Sequence, residues 1–61
     1  MKMTTKTKRV YLKLVEELSE LSVELLHAVN KPSKDNSKEI NSEISDVENW
    51  ISKFKQIKNH D

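Results

Sequence analysis

Two groups of carboxylates carry the residues of this chain that could do chemistry. Glu16, Glu17 and Glu20 fall within five residues, in the stretch Val15-Glu16-Glu17-Leu18-Ser19-Glu20-Leu21. Twenty-two residues separate Glu20 from Glu43, and Asp46 follows three further on. Spacings of three residues put Glu17 with Glu20, and Glu43 with Asp46, on one side of a helix. Four or five carboxylates converging on one patch repel each other unless a counter-ion is present. A hard divalent cation resolves that repulsion. Mg²⁺ takes oxygen ligands, keeps several waters and is commonly shared between carboxylates and phosphates. Residues needed only for solubility would sooner alternate lysine with glutamate. No histidine lies three or four residues from Glu43 or Asp46, which disfavours a di-iron site of the Glu-x-x-His kind.

The elements that must position these groups are helices. The 61 residues contain no glycine and one proline, Pro32, so tight hairpin turns and phosphate-cradling loops are disfavoured. Apolar residues at Leu14, Val15, Leu18, Leu21, Leu25, Ala28 and Val29 recur in steps of three and four, one stripe of a helix. Leu26 widens the stripe, and Tyr11 stands at its edge. Thr4 or Thr5 can cap its start. Asn30-Lys31-Pro32 ends it, because the residue before proline is pushed out of helical geometry. A second stripe runs through Ile40, Ile44, Val47, Ile51 and Phe54, and Asn36 with Glu39 resembles a capping box. The expectation is a helix over about 5–30 and a second over about 36–58. Residues 1–9 read as a basic N-terminal arm, 10–58 as the hairpin and 59–61 as a disordered tail.

A turn this short makes the helices antiparallel neighbours, so the fold class is all-α, an antiparallel helical hairpin. The stripes centre near Leu18 and Leu25 on the first helix and near Ile44 and Ile51 on the second. Glu17, Glu20 and Glu24 then form a band beside the first stripe, and Glu43, Asp46, Trp50 and Lys53 a band beside the second. Folding at the turn around Ser33 brings Glu20 level with Asp46 and Glu24 close to the level of Glu43. Two helices do not cover two such stripes, so the hairpins are expected to associate into a four-helix or larger bundle, as a dimer or tetramer.

Composition sets the outer bounds. A chain this short buries little surface and relies on a disulfide, a metal or a partner subunit. It has no cysteine, which excludes a disulfide and fits a cytoplasmic setting. No apolar run is long enough to cross a bilayer, and no apolar stretch follows the N-terminal charges as in a secretory signal. The net charge of +1 argues against a dedicated nucleic-acid binder.

Glu16-Glu17-x-x-Glu20 followed by Glu43-x-x-Asp46 resembles the signature of the MazG-like all-α nucleoside triphosphate pyrophosphohydrolases, in a minimal two-helix version spanning roughly residues 10–58. The resemblance implies Mg²⁺, with Mn²⁺ as a substitute, held by Glu17, Glu20, Glu43 and Asp46. Glu16 would join the catalytic set, ligating a second ion or orienting the water. It also implies cleavage of a nucleoside triphosphate between the α- and β-phosphates, giving a monophosphate and pyrophosphate. Lys53 is then the best-placed cation for the phosphates, with Lys31, Lys34 and Lys38 near the turn as others. Trp50 and Tyr11 could stack on a base, and Asn49 could hydrogen-bond to it. Family members usually carry further helices, which are missing here, so the base pocket would come from other subunits. A second reading of another class is a non-catalytic helical oligomerisation or interaction module.

Overall fold

The computed structural model describes the backbone over residues 3–60 and side chains over 3–57. Helix α1 runs Thr5–Asn30 and helix α2 runs Ser37–His60, packed antiparallel in a hairpin 46 × 16 × 12 Å in extent. Residues 5–9 of the basic segment form the start of α1, whereas Met1 and Lys2 lie outside the described residues. Of the expected tail, Asn59 and His60 fall at the end of α2, and Asp61 lies outside the described residues.

Both helix ends follow from local chemistry. Thr4 is the N-cap of α1, with extended backbone (φ −73°, ψ 163°), and its hydroxyl oxygen accepts the Thr7 N–H at 3.1 Å. That satisfies one of the donors left open in a first helical turn. At the other end Lys31, preceding Pro32, leaves helical geometry (φ −133°, ψ 69°) while its N–H still donates to the His27 carbonyl at 2.8 Å. Pro32 follows in a tight turn closed by the Lys34 N–H donating to the Lys31 carbonyl (3.0 Å), since its ring presets the φ required there. Asp35 Oδ1 accepts the Ser37 N–H at 3.0 Å, and these hydrogen bonds hold the Asp35 carboxyl below its ordinary range. The expected capping box does not form around Asn36. Its amide instead reaches across to α1, donating to the Glu24 carbonyl (2.9 Å) and to Glu24 Oε1 (3.0 Å). Glu24 therefore lies level with Asn36, not with Glu43, and is drawn out of the carboxylate patch.

The seam between the helices corrects the expected centre of the stripes. On α1 the buried and half-buried positions include Thr7, Val10, Leu14, Glu17, Leu21 and Glu24, spaced alternately by three and four. On α2 they include Ile40, Glu43, Val47, Trp50, Phe54 and Ile57 in the same rhythm. This is the seven-residue repeat of two helices that stay in contact along their length. Leu18 and Leu25 are 44% and 48% exposed, and Ile44 is 38% exposed. The apolar sector of α1 is wider than one partner helix can cover, and α2 covers only one edge of it. That edge is selected by the Asn36–Glu24 hydrogen bonds at the turn end and by Tyr11 against Phe54 at the open end, with ring centroids 5.1 Å apart.

Candidate metal centre

Because Glu17 and Glu43 occupy seam positions, the closing of the hairpin brings them together. Glu17 is 9% exposed. One carboxylate oxygen from each of Glu17, Glu43 and Asp46 lies within 4.8 Å of the others. Glu43 is half-buried and Asp46 is exposed, so the group opens to solvent on the Asp46 side. Glu20 stands over the same patch, close enough to act electrostatically on both Glu17 and Glu43.

The electrostatics are those of a site missing positive charge. Burial pushes the Glu17 carboxyl above its ordinary range, and repulsion from Glu20 and then Asp46 adds to it. A hydrogen bond to Glu20, which only a protonated carboxyl can make, acts in the same direction. Glu43 is raised for the same reasons, by burial first and by Glu20 second. The Oε2 atoms of Glu17 and Glu43 are buried and accept no hydrogen bond. Among the described residues, ion pairs form only between Lys13 and Glu16 (3.5 Å) and between His27 and Glu24 (4.0 Å). Among the described residues, therefore, no lysine, arginine or histidine forms an ion pair with the four clustered carboxylates. Buried acidic oxygens without a partner are costly and rare in folded chains. An all-oxygen donor set with spare lone pairs is the chemistry that suits a hard divalent cation.

The remaining candidates divide by position. Glu16 is exposed and turned toward Lys13, so it contributes to the cluster only by repelling Glu17. Trp50 lies one turn beyond Asp46, half-buried in the seam. The Lys53 ammonium sits 4.3 Å from the centroid of its ring and the Lys13 ammonium 6.0 Å, a geometry in which the ring attracts the cations. Lys53 thus occupies the Trp50 face that could have stacked on a base. Lys13 joins it at the edge of the carboxylates although it was not singled out as a binding residue. Its spacing of four from Glu17 was the signal for it. Asn49 is exposed next to this stretch. Lys31 and Lys34 line a separate cavity of about 310 Å³ at the turn, with Glu24, His27 and Asn36. Lys31 stands about 16 Å along the helix axis from Glu20 at ~1.5 Å per residue, and Lys38 is exposed beyond the turn. None of these three joins the carboxylates within one chain. Tyr11 packs on Phe54 at the seam's edge.

Thus far the molecule is a two-helix hairpin carrying an acidic cluster in its seam. No family model, curated protein or solved structure matches the chain. No helix among the described residues is long and apolar enough to cross a membrane.

Proposed function

We propose that the chain is a divalent-cation-dependent nucleoside triphosphate pyrophosphohydrolase that works as a homo-oligomer of hairpins in the cytoplasm. One observation carries this reading: Glu17, Glu43 and Asp46 approach within 4.8 Å, and the clustered acids leave two buried oxygens unpartnered. The resemblance of the two carboxylate motifs to those of the MazG-like enzymes supports the same assignment. Glu17, Glu43 and Asp46 would hold the ion, with Glu20 as a fourth ligand, and Mg²⁺ or Mn²⁺ suits the donor set. When bound, such an ion neutralises phosphate charge and lowers the pKa of a coordinated water.

The chain's own groups then bind and orient. Asp46 and Glu20, the exposed members, border the opening through which a triphosphate reaches the cluster. Lys13, about a turn from Glu17, and Lys53, two turns beyond Asp46, supply positive charge suited to phosphate oxygens. Trp50 holds Lys53 in place through its ring face. Glu16 keeps Lys13 at the rim through their ion pair. Asn49 is free to hydrogen-bond a sugar or base. Lys31 and Lys34 take part only if a second hairpin brings its turn to this site. Hydrolysis between the α- and β-phosphates consumes water and yields a monophosphate and pyrophosphate.

The test is pyrophosphate release from a panel of ribo- and deoxynucleoside triphosphates with Mg²⁺, using Glu43→Gln as the control. Release by the wild type, absent in the variant, is the expected result. A folded, cation-loaded protein that releases none from any nucleotide removes the enzyme reading. It would leave the second one, a non-catalytic interaction module, which the exposure of Val15, Leu26 and Val29 favours.

A further inference from the structure

The seven-residue repeat of the seam sorts the hairpin into layers. Seven residues carry a helix through almost two full turns, with a drift of ~20°, and advance it by about 10.5 Å. Residues seven apart therefore share a side and stand one layer apart. The carboxylate layer consists of Glu17 and Glu20 from α1 with Glu43 and Asp46 from α2. Seven residues toward the turn from these four stand Glu24, His27, Asn36 and Glu39. Seven residues toward the open end stand Val10, Lys13, Trp50 and Lys53. A contact across the seam marks each layer. Glu17, Glu43 and Asp46 approach within 4.8 Å. The Asn36 amide lies 3.0 Å from Glu24 Oε1, and the Lys13 ammonium 6.0 Å from the centroid of the Trp50 ring.

The layers on either side of the carboxylates differ in what they hold. The one toward the open end gathers the Lys13 and Lys53 ammoniums around one ring and contains no carboxylate. The one toward the turn opens into the cavity of about 310 Å³, which all four of its residues line. That volume falls at the lower end of the ~300–1,000 Å³ of small-molecule sites. The cavity's three carboxylates, Glu24, Asp35 and Glu39, outnumber its two lysines, so it does not draw in a further phosphate. Carboxylates accept hydrogen bonds from hydroxyl and amino groups. Asn36 and His27 both meet Glu24 at Oε1, which leaves its second oxygen to accept from a ligand. Glu39 is exposed and forms no ion pair among the described residues. His27 supplies the aromatic ring of the cavity, with its side chain 60% exposed. The other ring faces are engaged, Trp50 by Lys53 and Tyr11 by Phe54.

We infer that the turn cavity is the nucleoside subsite of the carboxylate site, an assignment that rests on the pyrophosphohydrolase reading above. The substrate then lies along the hairpin. Its α-phosphate meets the cation, its β- and γ-phosphates run toward Lys13 and Lys53, and its sugar and base enter the cavity one layer toward the turn. Charge sets this polarity, because the lysine layer attracts the anionic end and the acidic cavity takes the uncharged one. The nucleoside and the leaving pyrophosphate are separate substituents of the α-phosphorus, so they can extend into opposite layers. Asn49 stands on the lysine side of Asp46 and faces the phosphates. The ligand class is a ribonucleotide. An acidic side chain at a nucleotide site accepts from the ribose 2′-hydroxyl, and an imidazole ring stacks on a base.

The experiment is amide-resolved NMR titration of the full chain, saturated with Mg²⁺, using adenosine monophosphate, its 2′-deoxy form and inorganic pyrophosphate as probes. Adenosine monophosphate should move the signals of His27, Asn36 and Glu39. Pyrophosphate should move those of Lys13, Trp50 and Lys53, and change the fluorescence of Trp50, the chain's single tryptophan. His27→Ala and Glu39→Gln alter exposed side chains. Each should weaken adenosine monophosphate about tenfold and leave pyrophosphate affinity unchanged, and the 2′-deoxy form should bind the wild type about tenfold more weakly. Adenosine monophosphate shifts confined to Asn49, Trp50 and Lys53, or an affinity that both variants retain, overturn the subsite; pyrophosphate release from triphosphates would then still uphold the enzyme reading. If no triphosphate is cleaved, the enzyme reading falls, and the titration decides the cavity on its own: shifts at the turn keep it as a nucleotide-binding site, and no binding overturns it.

Discussion

Glu17 and Glu43 are acids placed where a helical hairpin ordinarily puts leucine. Each sits in a seven-residue seam with an oxygen that finds no donor, and the chain tolerates this only at some cost to its own stability. The cost has a pH signature. Both carboxyls are raised in the folded chain above the ordinary value of 4.5, so the folded state binds protons more readily than the unfolded one. Their contribution is favourable below that value and is lost as pH rises through it toward the raised folded value. Thermal melts in chelator should accordingly fall as pH rises from about 4.5 toward neutrality. Saturating Mg²⁺ should flatten the slope, and a chelated protein with no slope would contradict the buried repulsion. The same reasoning makes Glu17→Gln stabilising at neutral pH without metal, by several degrees, while removing any shift with Mg²⁺ or Mn²⁺. Differential scanning fluorimetry on the pair of proteins reads both outcomes.

At the scale of the elements, a polar contact at the turn end and an aromatic one at the open end set the register that brings the acids together. The Asn36 amide binds both a carbonyl and a carboxylate oxygen of Glu24. Asn36→Ala removes both bonds and should cost roughly 1–2 kcal/mol, about 4–8 °C of melting temperature per kcal/mol for a chain this small. It should also weaken ion binding, because the register of Glu43 against Glu17 depends on it. If the variant melts lower yet binds Mg²⁺ with unchanged affinity, register is held elsewhere. Thr4→Ala, which deletes the α1 cap, should cost about 1 kcal/mol. It lies at the opposite end from Asn36, and the cap makes no contact with the acids, so ion affinity should stay constant. Circular dichroism melts beside ion titrations separate the two variants.

The whole molecule is governed by the mismatch between apolar surface and cover. Two helices present three sectors: a seam, an acidic flank and an apolar flank. Only the first is satisfied within one chain. If hairpins associate, as the proposed function holds, stability becomes a function of protein concentration. The melting temperature should rise as the chain is concentrated, at fixed pH and ion, and a concentration-independent melt would place all of the stability in the monomer.

Much of this was legible in the sequence. The absence of glycine, the steps of three and four, Thr4 before α1 and Lys31-Pro32 after it determine two helices and their ends, because capping and propensity act over neighbouring residues. The spacing of Glu17, Glu20, Glu43 and Asp46 determines that the acids share a side, because a helix repeats every 3.6 residues. Which edge of α1 meets α2 is not a local property. Val10 and Leu18 look alike as apolar positions, yet one is buried and the other is exposed. Packing across the seam made that choice, together with the bonds from Asn36 and the contact of Tyr11 with Phe54. The tertiary structure therefore moved Glu17 and Glu43 from beside the core into it and removed Glu24 from their company. It also set Lys53 on the face of Trp50. A rotation of one helix about its axis, which leaves every local preference satisfied, separates these arrangements, so only contacts between the helices could decide among them.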